Sequence, residues 1–357
     1  MFKLFIDWYR RCFSDPNAVA LAVVLILLFI TLYFFHSILS PLLIAIVLSY
    51  LLEKPILMLT NRGISRTFAV LIVLLLFIAI VLLSMAFLVP LIWQQVVGLV
   101  SNLPTMLTSL NSFLSTLPER YPELLSVDLF DAIINSLKSR LAQTSNTIVQ
   151  FSIASLLSFI SVIVNAVLVP IIMFFLLKDK KMIMDYCLRF LPQNRKLMRK
   201  VANEMNQQIS NYIVGTFLQV LILSIMLYIP FWFFGLDYAL LLAIMVGLAV
   251  IIPYIGIIIA TIPIILIALF QFGVSPEFGY LMACYFMIQL IDGNIVVPVL
   301  FSEALDLHPI VIILAIIIFG GLWGFWGIFF SIPLATLVKA IINVWPIKGA
   351  ASPKAAD

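Results

Sequence analysis

The segment QLIDGNIVVPVLFSEALDLHP, Gln289 to Pro309, gathers most of the groups in this chain that could do chemistry. It holds three acids, Asp292, Glu303 and Asp306, with Gln289 and Asn294 on either side of the first and His308 near the end. An acid between two amides offers oxygens to a cation, a seat for a proton, or hydrogen bonds to a polar solute. Yet apolar runs flank the segment on both sides. A charged Asp at the centre of a bilayer costs roughly 2.5–3.5 kcal/mol, so these acids do not face lipid at depth. Two placements stay open. In one, Asp292 ends a short helix, Ser302 caps the next turn and the acids stand in interfacial water. In the other, the helix breaks beside a wet cavity, where freed carbonyls with Asp292 and Asn294 hold a cation, a proton or a polar solute. The apolar chain before Asp292, Gly279 to Ile291, is only 13 residues. It rises only ~20 Å as helix, so Asp292 can stop inside the membrane.

Other polar groups interrupt apolar helices more sparsely. Gln208, Asn211 and Tyr212 share a helix face by their spacing. Gln219, Asn165 and Gln289 have the character of hydrogen-bonding groups between helices. The candidate pathway residues are therefore Asp292, Asn294, Gln289, Glu303, His308, Tyr254, Asn211 and Gln208. No G-x-S-x-G, H-E-x-x-H or phosphate-binding glycine motif occurs, so no catalytic residue and no enzyme activity is expected. The three cysteines, Cys12, Cys187 and Cys284, are far apart and form neither a disulfide framework nor a metal site. No metal or cofactor is expected. Without a nucleotide site, transport would run downhill or on an ion gradient.

The elements that position these residues are membrane helices. Of the 357 residues 64% are hydrophobic and 10% charged, against about 45–50% and about 25% in soluble domains. Charge-free runs such as Val19–Leu52, Thr67–Pro118 and Leu141–Leu177 each exceed the ~20 residues that cross a bilayer. The fold class is all-α, a polytopic helical membrane protein. The division expected is three spans over 1–93, an extracytoplasmic amphipathic segment over 94–150, a transport core over 151–345 and a polar tail over 346–357. The first span, from about Ala18, follows a short basic leader and is too long for a signal peptide. In 94–150, Val96, Val100, Leu103, Leu107, Leu110, Leu114 and Leu117 follow a 4,3 spacing, the seam of a helix that packs on another. Pro104 should kink it, and Phe130, Ile134, Leu137 and Leu141 repeat the spacing, which suggests a helical hairpin. The basic run 178–208 suits anionic lipid rather than nucleic acid.

Two segments are too long for one span. Tyr238–Phe270 has 33 residues without a charge, and Pro309–Trp345 is 37 residues long. As straight helices they would reach ~50 Å and ~55 Å against a ~30 Å hydrocarbon core. Breaks are expected at Pro253, Gly256 and Pro263 in the first, at Gly320, Gly321, Gly324, Gly327 and Pro333 in the second, and at Pro298 between them. GIIIATIP (256–263) and GIFFSIP (327–333) resemble each other. The positive-inside rule places both termini in the cytoplasm and the 94–150 segment outside, so the two broken hairpins enter from opposite faces. Such a pair points to a transporter site.

The stretches FFLLKDKK, NQQISNYIVG, IPYIGIIIATIP, DGNIVVPVLFSEALDLHP and IFGGLWGFWGIFFSIPLATLVKA, in this order, resemble the autoinducer-2 exporter (AI-2E) family of bacterial permeases, most of all its PerM branch. The resemblance covers nearly the whole chain. It implies a multi-pass protein of the bacterial inner membrane, a homo-oligomer with a pentamer as the family expectation, and an elevator-like motion of a mobile unit. Some members export the furanone signal; others are sodium/proton antiporters; the PerM branch has no settled substrate. The partners expected are the lipid bilayer, further copies of the chain, and a small-molecule or ion substrate. Three functions stand in order: a secondary transporter or exporter of a small polar metabolite or signal molecule, a sodium/proton antiporter using Asp292, and a non-transporting membrane scaffold.

Overall fold

The apolar runs fold as helices because a bilayer offers no partner for a free backbone N–H or C=O. The computed structural model describes residues 16–35, 38–120, 162, 164–189, 196–301 and 307–344. Among these residues all regular structure is helical: α1 (Pro16–Phe35), α2 (Ser40–Thr60), α3 (Arg66–Arg120), α4 (Val164–Lys178), α5 (Lys180–Arg189), α6 (Lys196–Phe233), α7 (Ala239–Ala249), α8 (Ile255–Phe272), α9 (Pro276–Ile291), α10 (Val297–Phe301), α11 (Pro309–Trp323), α12 (Phe325–Phe329) and α13 (Ser331–Val344). Among the described residues five stretches are long and apolar enough to cross a membrane: 40–60, 66–102, 201–233, 255–272 and 276–301.

Three clusters hold the helices together. Ala45, Leu52 and Ile56 of α2 meet Ala69, Val70, Val73 and Leu74 of α3 and Met173 and Leu177 of α4. At one end of this cluster Arg66 gathers three elements. Its Nε and Nη2 donate to the Leu177 carbonyl at 2.9 and 2.7 Å, closing the end of α4. Its Nη2 also lies 3.3 Å from Glu53 Oε1, which pairs with Lys180 Nζ at 3.1 Å. The guanidinium thus supplies partners for a terminal carbonyl that the helix cannot satisfy itself.

The second cluster joins Leu223, Leu227 and Phe231 of α6 to Leu242, Ala243 and Val246 of α7, Ile264 and Ile267 of α8, and Leu281 and Tyr285 of α9. The third joins Tyr212 and Ile213 of α6 to Phe301 of α10, Ile312 and Ile316 of α11, and Ile332 of α13. α6 therefore carries one broken hairpin on each half of its length.

α3 is one continuous helix of 55 residues, ~82 Å long, and passes straight through the expected boundary at residue 94. Among the described side chains of its far half, Leu99 and Met106 pack against the core, while Val100 of the 4,3 stripe is exposed. In the same half, Asn102 Nδ2 donates to Tyr238 Oη at 2.8 Å, and Gln95 Oε1 accepts from the Leu241 N–H at 2.8 Å. The far half of α3 thus grips the start of the first hairpin. The second amphipathic run, Phe130 to Leu141, lies outside the described residues.

Candidate functional site

The site begins with two tight bends. α7 ends at Ala249, and the chain turns through Val250–Tyr254 into α8. Tyr254 sits at φ 64°, ψ −55°, and the Ile255 N–H reaches the Pro253 carbonyl at 2.7 Å. This is a classic γ-turn, a rare and strained conformation for a residue with a side chain. The arms then pack so closely that a Cβ at Gly256 would lie inside the Ala249 carbonyl. In the second hairpin α11 ends at Gly324, φ 58°, and a Cβ at Gly327 would lie inside the Phe319 carbonyl. The two glycines that align in GIIIATIP and GIFFSIP hold equivalent apices, one at each hairpin. Pro263 and Pro333 stand elsewhere, inside α8 and within the first turn of α13. A proline three residues into a helix costs no intrahelical bond, so Pro333 shapes the entry of α13 rather than the bend. Gly320 and Gly321 close the last turn of α11, where Gly320 makes room for Ile328.

Between the hairpins runs a helix with a different interruption. From Asp292 to Val296 it widens to a π turn, in which the Val297 N–H bonds the Asp292 carbonyl, and α10 then carries Pro298. A proline there has no N–H to give, and a widened turn lets the helix run on past it. The expected 13-residue helix is thus the first part of a 26-residue span, Pro276–Phe301. Asp292 lies ~24 Å along it from Pro276 and ~14 Å short of Phe301. It is 2% exposed.

A cavity of about 300 Å³ opens beside Asp292. α6 contributes Tyr212, Thr216 and Gln219, at the 4,3 spacing of one helix face. The first hairpin contributes Val250, Pro253, Tyr254 and Ile257, and the second Ile312 and Ile332. The interrupted helix adds Gln289, Asp292, Gly293, Val297 and Phe301. Gln219 Nε2 donates to Asp292 Oδ2 at 2.9 Å. Asp292 Oδ1 and Gln289 Nε2 are buried without a partner among the described residues. Among the described residues no Lys, Arg or His lines the wall. The site is mostly apolar with a few convergent polar groups, the usual make-up of a small-molecule pocket.

Of the candidate residues, Asp292, Gln289 and Tyr254 come together on this wall. Asn294 turns away: it is exposed and donates to the Leu290 carbonyl of its own helix at 2.8 Å. His308 caps α11, its Nδ1 accepting from the Ile310 N–H at 3.3 Å. Gln208 lies one turn before Tyr212 on α6, off the wall, with a buried and unpartnered Oε1. Asn211 is half-buried and also off the wall. Glu303 lies outside the described residues. Thr216 escaped sequence reasoning; its signal was the 4,3 spacing with Tyr212 and Gln219.

These helices and this interior make the chain a multi-pass helical membrane protein. It belongs to the AI-2E transporter family, whose model matches residues 22–347. It is 50% identical over 346 residues to PerM of Escherichia coli (strain K12), named as a permease, covering 97% of this chain and 98% of that one. It is 27% identical to YueF of Bacillus subtilis (strain 168), named as a transport protein, covering 86% of this chain and 84% of that one. YrrI of the same organism, also named as a transport protein, is 27% identical with 86% of each chain covered.

Proposed function

We propose that the chain is a secondary transporter that moves a small polar solute through the cavity between its two hairpins, with Asp292 as the polar anchor. One observation carries this: a carboxylate 2% exposed, with Oδ1 unpartnered, on the wall of a cavity to which both broken hairpins contribute. Buried polar groups in membrane helices are costly, and they mark solute pathways. A scaffold would have no use for such a group. The relatives named as permeases and transport proteins support the same reading. The setting proposed with it is the bacterial inner membrane, with both termini cytoplasmic, in a homo-oligomer whose solute path lies within each protomer.

A second reading is cation/proton exchange on Asp292, favoured by the absence of a basic side chain among the described residues of the wall. Reconstituted liposomes test both. With a pH dye inside and a sodium or potassium gradient imposed, exchange predicts proton movement that Asp292→Asn abolishes. Solute transport predicts no cation-driven proton movement, and flux of a polar solute that Asp292→Asn reduces. Silence toward cations and toward a broad panel of polar solutes would refute the transport reading.

A further inference from the structure

We infer that α5 lies in the membrane–water interface and that the cavity beside it holds an anionic phospholipid, with the phosphate on Lys180 and an acyl chain along Ile46, Leu176 and Met184. This site shares no wall residue with the Asp292 cavity. Its depth follows from the spans. α2 and α3 are both long and apolar enough to cross a membrane, and the short turn over 61–65 joins them, so that turn marks one membrane surface. Glu53 stands ~10 Å before the end of α2. It holds Lys180, the first residue of α5, at 3.1 Å. α5 therefore starts where lipid headgroups meet hydrocarbon.

The faces of α5 fit that depth. Lys181, Asp185 and Arg189, four residues apart, form an exposed polar stripe. Met182 and Tyr186, one turn apart, are 64% and 60% exposed, and the Arg189 guanidinium lies 5.3 Å over the Tyr186 ring. Large apolar side chains beside a basic stripe suit a helix lying in the interface, its apolar side in lipid and its basic side toward the headgroups. Lys180 and Met184 share a further side, which faces a cavity of about 260 Å³ between α2, α4 and α5.

This cavity is amphipathic, as a phospholipid is. Ile46, Leu176 and Met184 give it an apolar side, and Glu53 and Lys180 a charged one. Glu53 sits between two cations, Arg66 at 3.3 Å and Lys180, so the cluster keeps an excess of one positive charge. An ammonium group has three donors, and Glu53 takes one from Lys180, whose side chain is 41% exposed. The others suit a phosphate. Ser49, one turn before Glu53 on the same wall, has an Oγ buried without a partner among the described residues, a hydroxyl left for an ester oxygen. On α2, the turn after it and α5, the exposed charges are Lys54, Arg62, Lys181 and Arg189 against one acid, Asp185. Such an excess at a membrane surface attracts anionic lipid. A free anion in water would leave the apolar side of the cavity unused.

The test uses the purified full chain in detergent, with lipid adducts counted by native mass spectrometry. The probes are phosphatidylglycerol, phosphatidylcholine and glycerol 3-phosphate, a phosphate headgroup without chains. Phosphatidylglycerol is expected to stay bound and to raise the melting temperature, with phosphatidylcholine weaker. Lys180→Gln should weaken phosphatidylglycerol by about fivefold, the weight of one basic residue at an anionic surface. Without lipid this variant should melt close to wild type. Phosphatidylcholine bound as tightly as phosphatidylglycerol, or a preference that Lys180→Gln leaves intact, would overturn the site. Glycerol 3-phosphate acting as strongly as the lipid would overturn the lipid and leave a site for soluble phosphates. A second measurement reads α5 itself. Met182→Cys and Lys181→Cys are each spin-labelled in liposomes, in a chain with Cys12, Cys187 and Cys284 replaced by alanine. The label at 182 is expected to meet oxygen dissolved in lipid, and the label at 181 a nickel chelate dissolved in water. Equal access of the chelate to both would overturn the interfacial helix. Spin–spin broadening at 182 would also overturn it and assign that face to a second copy of the chain.

Discussion

Gln219 and Asp292 are 73 positions apart in the chain, and the amide Nε2 of the first donates to Oδ2 of the second at 2.9 Å. The bond ties α6, which carries both hairpins, to the π turn of the helix between them. Among the described residues Asp292 has no other side-chain partner, so removal of this bond leaves a carboxylate with none. Gln219→Leu is expected to cost about 1–3 kcal/mol, the penalty of an unsatisfied buried group. The double variant Gln219→Leu/Asp292→Leu removes both partners and should regain most of that loss while remaining inactive in flux. Thermal unfolding in detergent, paired with liposome flux, checks this. A double variant less stable than Gln219→Leu would show that the pair holds the fold and not the solute.

The hairpin apices offer a test of backbone packing. Gly256→Ala and Gly327→Ala each force a methyl group into a carbonyl of the preceding arm. Each should cost about 3 kcal/mol or prevent folding, the upper range for overpacking. Gly279→Ala and Gly321→Ala, where nothing lies within 4 Å, are the controls. They should melt at or above the wild-type temperature, because alanine favours a helix over glycine.

Strain at Tyr254 is separable from its ring. Tyr254→Ala and Tyr254→Gly remove the same phenol, but only glycine accepts φ 64° without cost. The glycine variant should be more stable than the alanine variant by about 1 kcal/mol or more. Equal melting temperatures would mean that the turn relaxes when the ring is lost.

Arg66 and Lys180 both pair with Glu53, yet they should differ in weight. Arg66 also serves the end of α4 through two bonds to the Leu177 carbonyl. Arg66→Ala is expected to cost about 2 kcal/mol, from the charge-assisted bonds lost. Lys180, whose side chain is 41% exposed, makes a screened pair, and Lys180→Ala should change stability by less than about 1 kcal/mol. Melting curves at low and high salt distinguish them, since only the exposed pair weakens with salt.

Composition and charge-free length alone determined that this is a polytopic helical membrane protein, because a bilayer permits few other solutions for such runs. The overlong segments announced their own breaks, since a ~50 Å helix does not fit a ~30 Å core. The kinship of Gly256 and Gly327 was legible too, as a repeated Gly-to-Ile-Pro pattern. Tertiary structure decided the rest. What surrounds Asp292 was not legible: once the segment is helical, Gln289, three residues before it, shares its face and Asn294, two after, does not, but only folding puts the cavity on that face. Gln219 read as an isolated amide until folding laid it against an acid far along the chain. The length of the helix beyond Asp292 was hidden as well, because Gly293 and Pro298 look like a stop. They stop an α-helix, and a π turn carries the chain through them. Helices are written in local periodicity, whereas a site is written in contacts between helices, and those exist only once the hairpins have closed on α6.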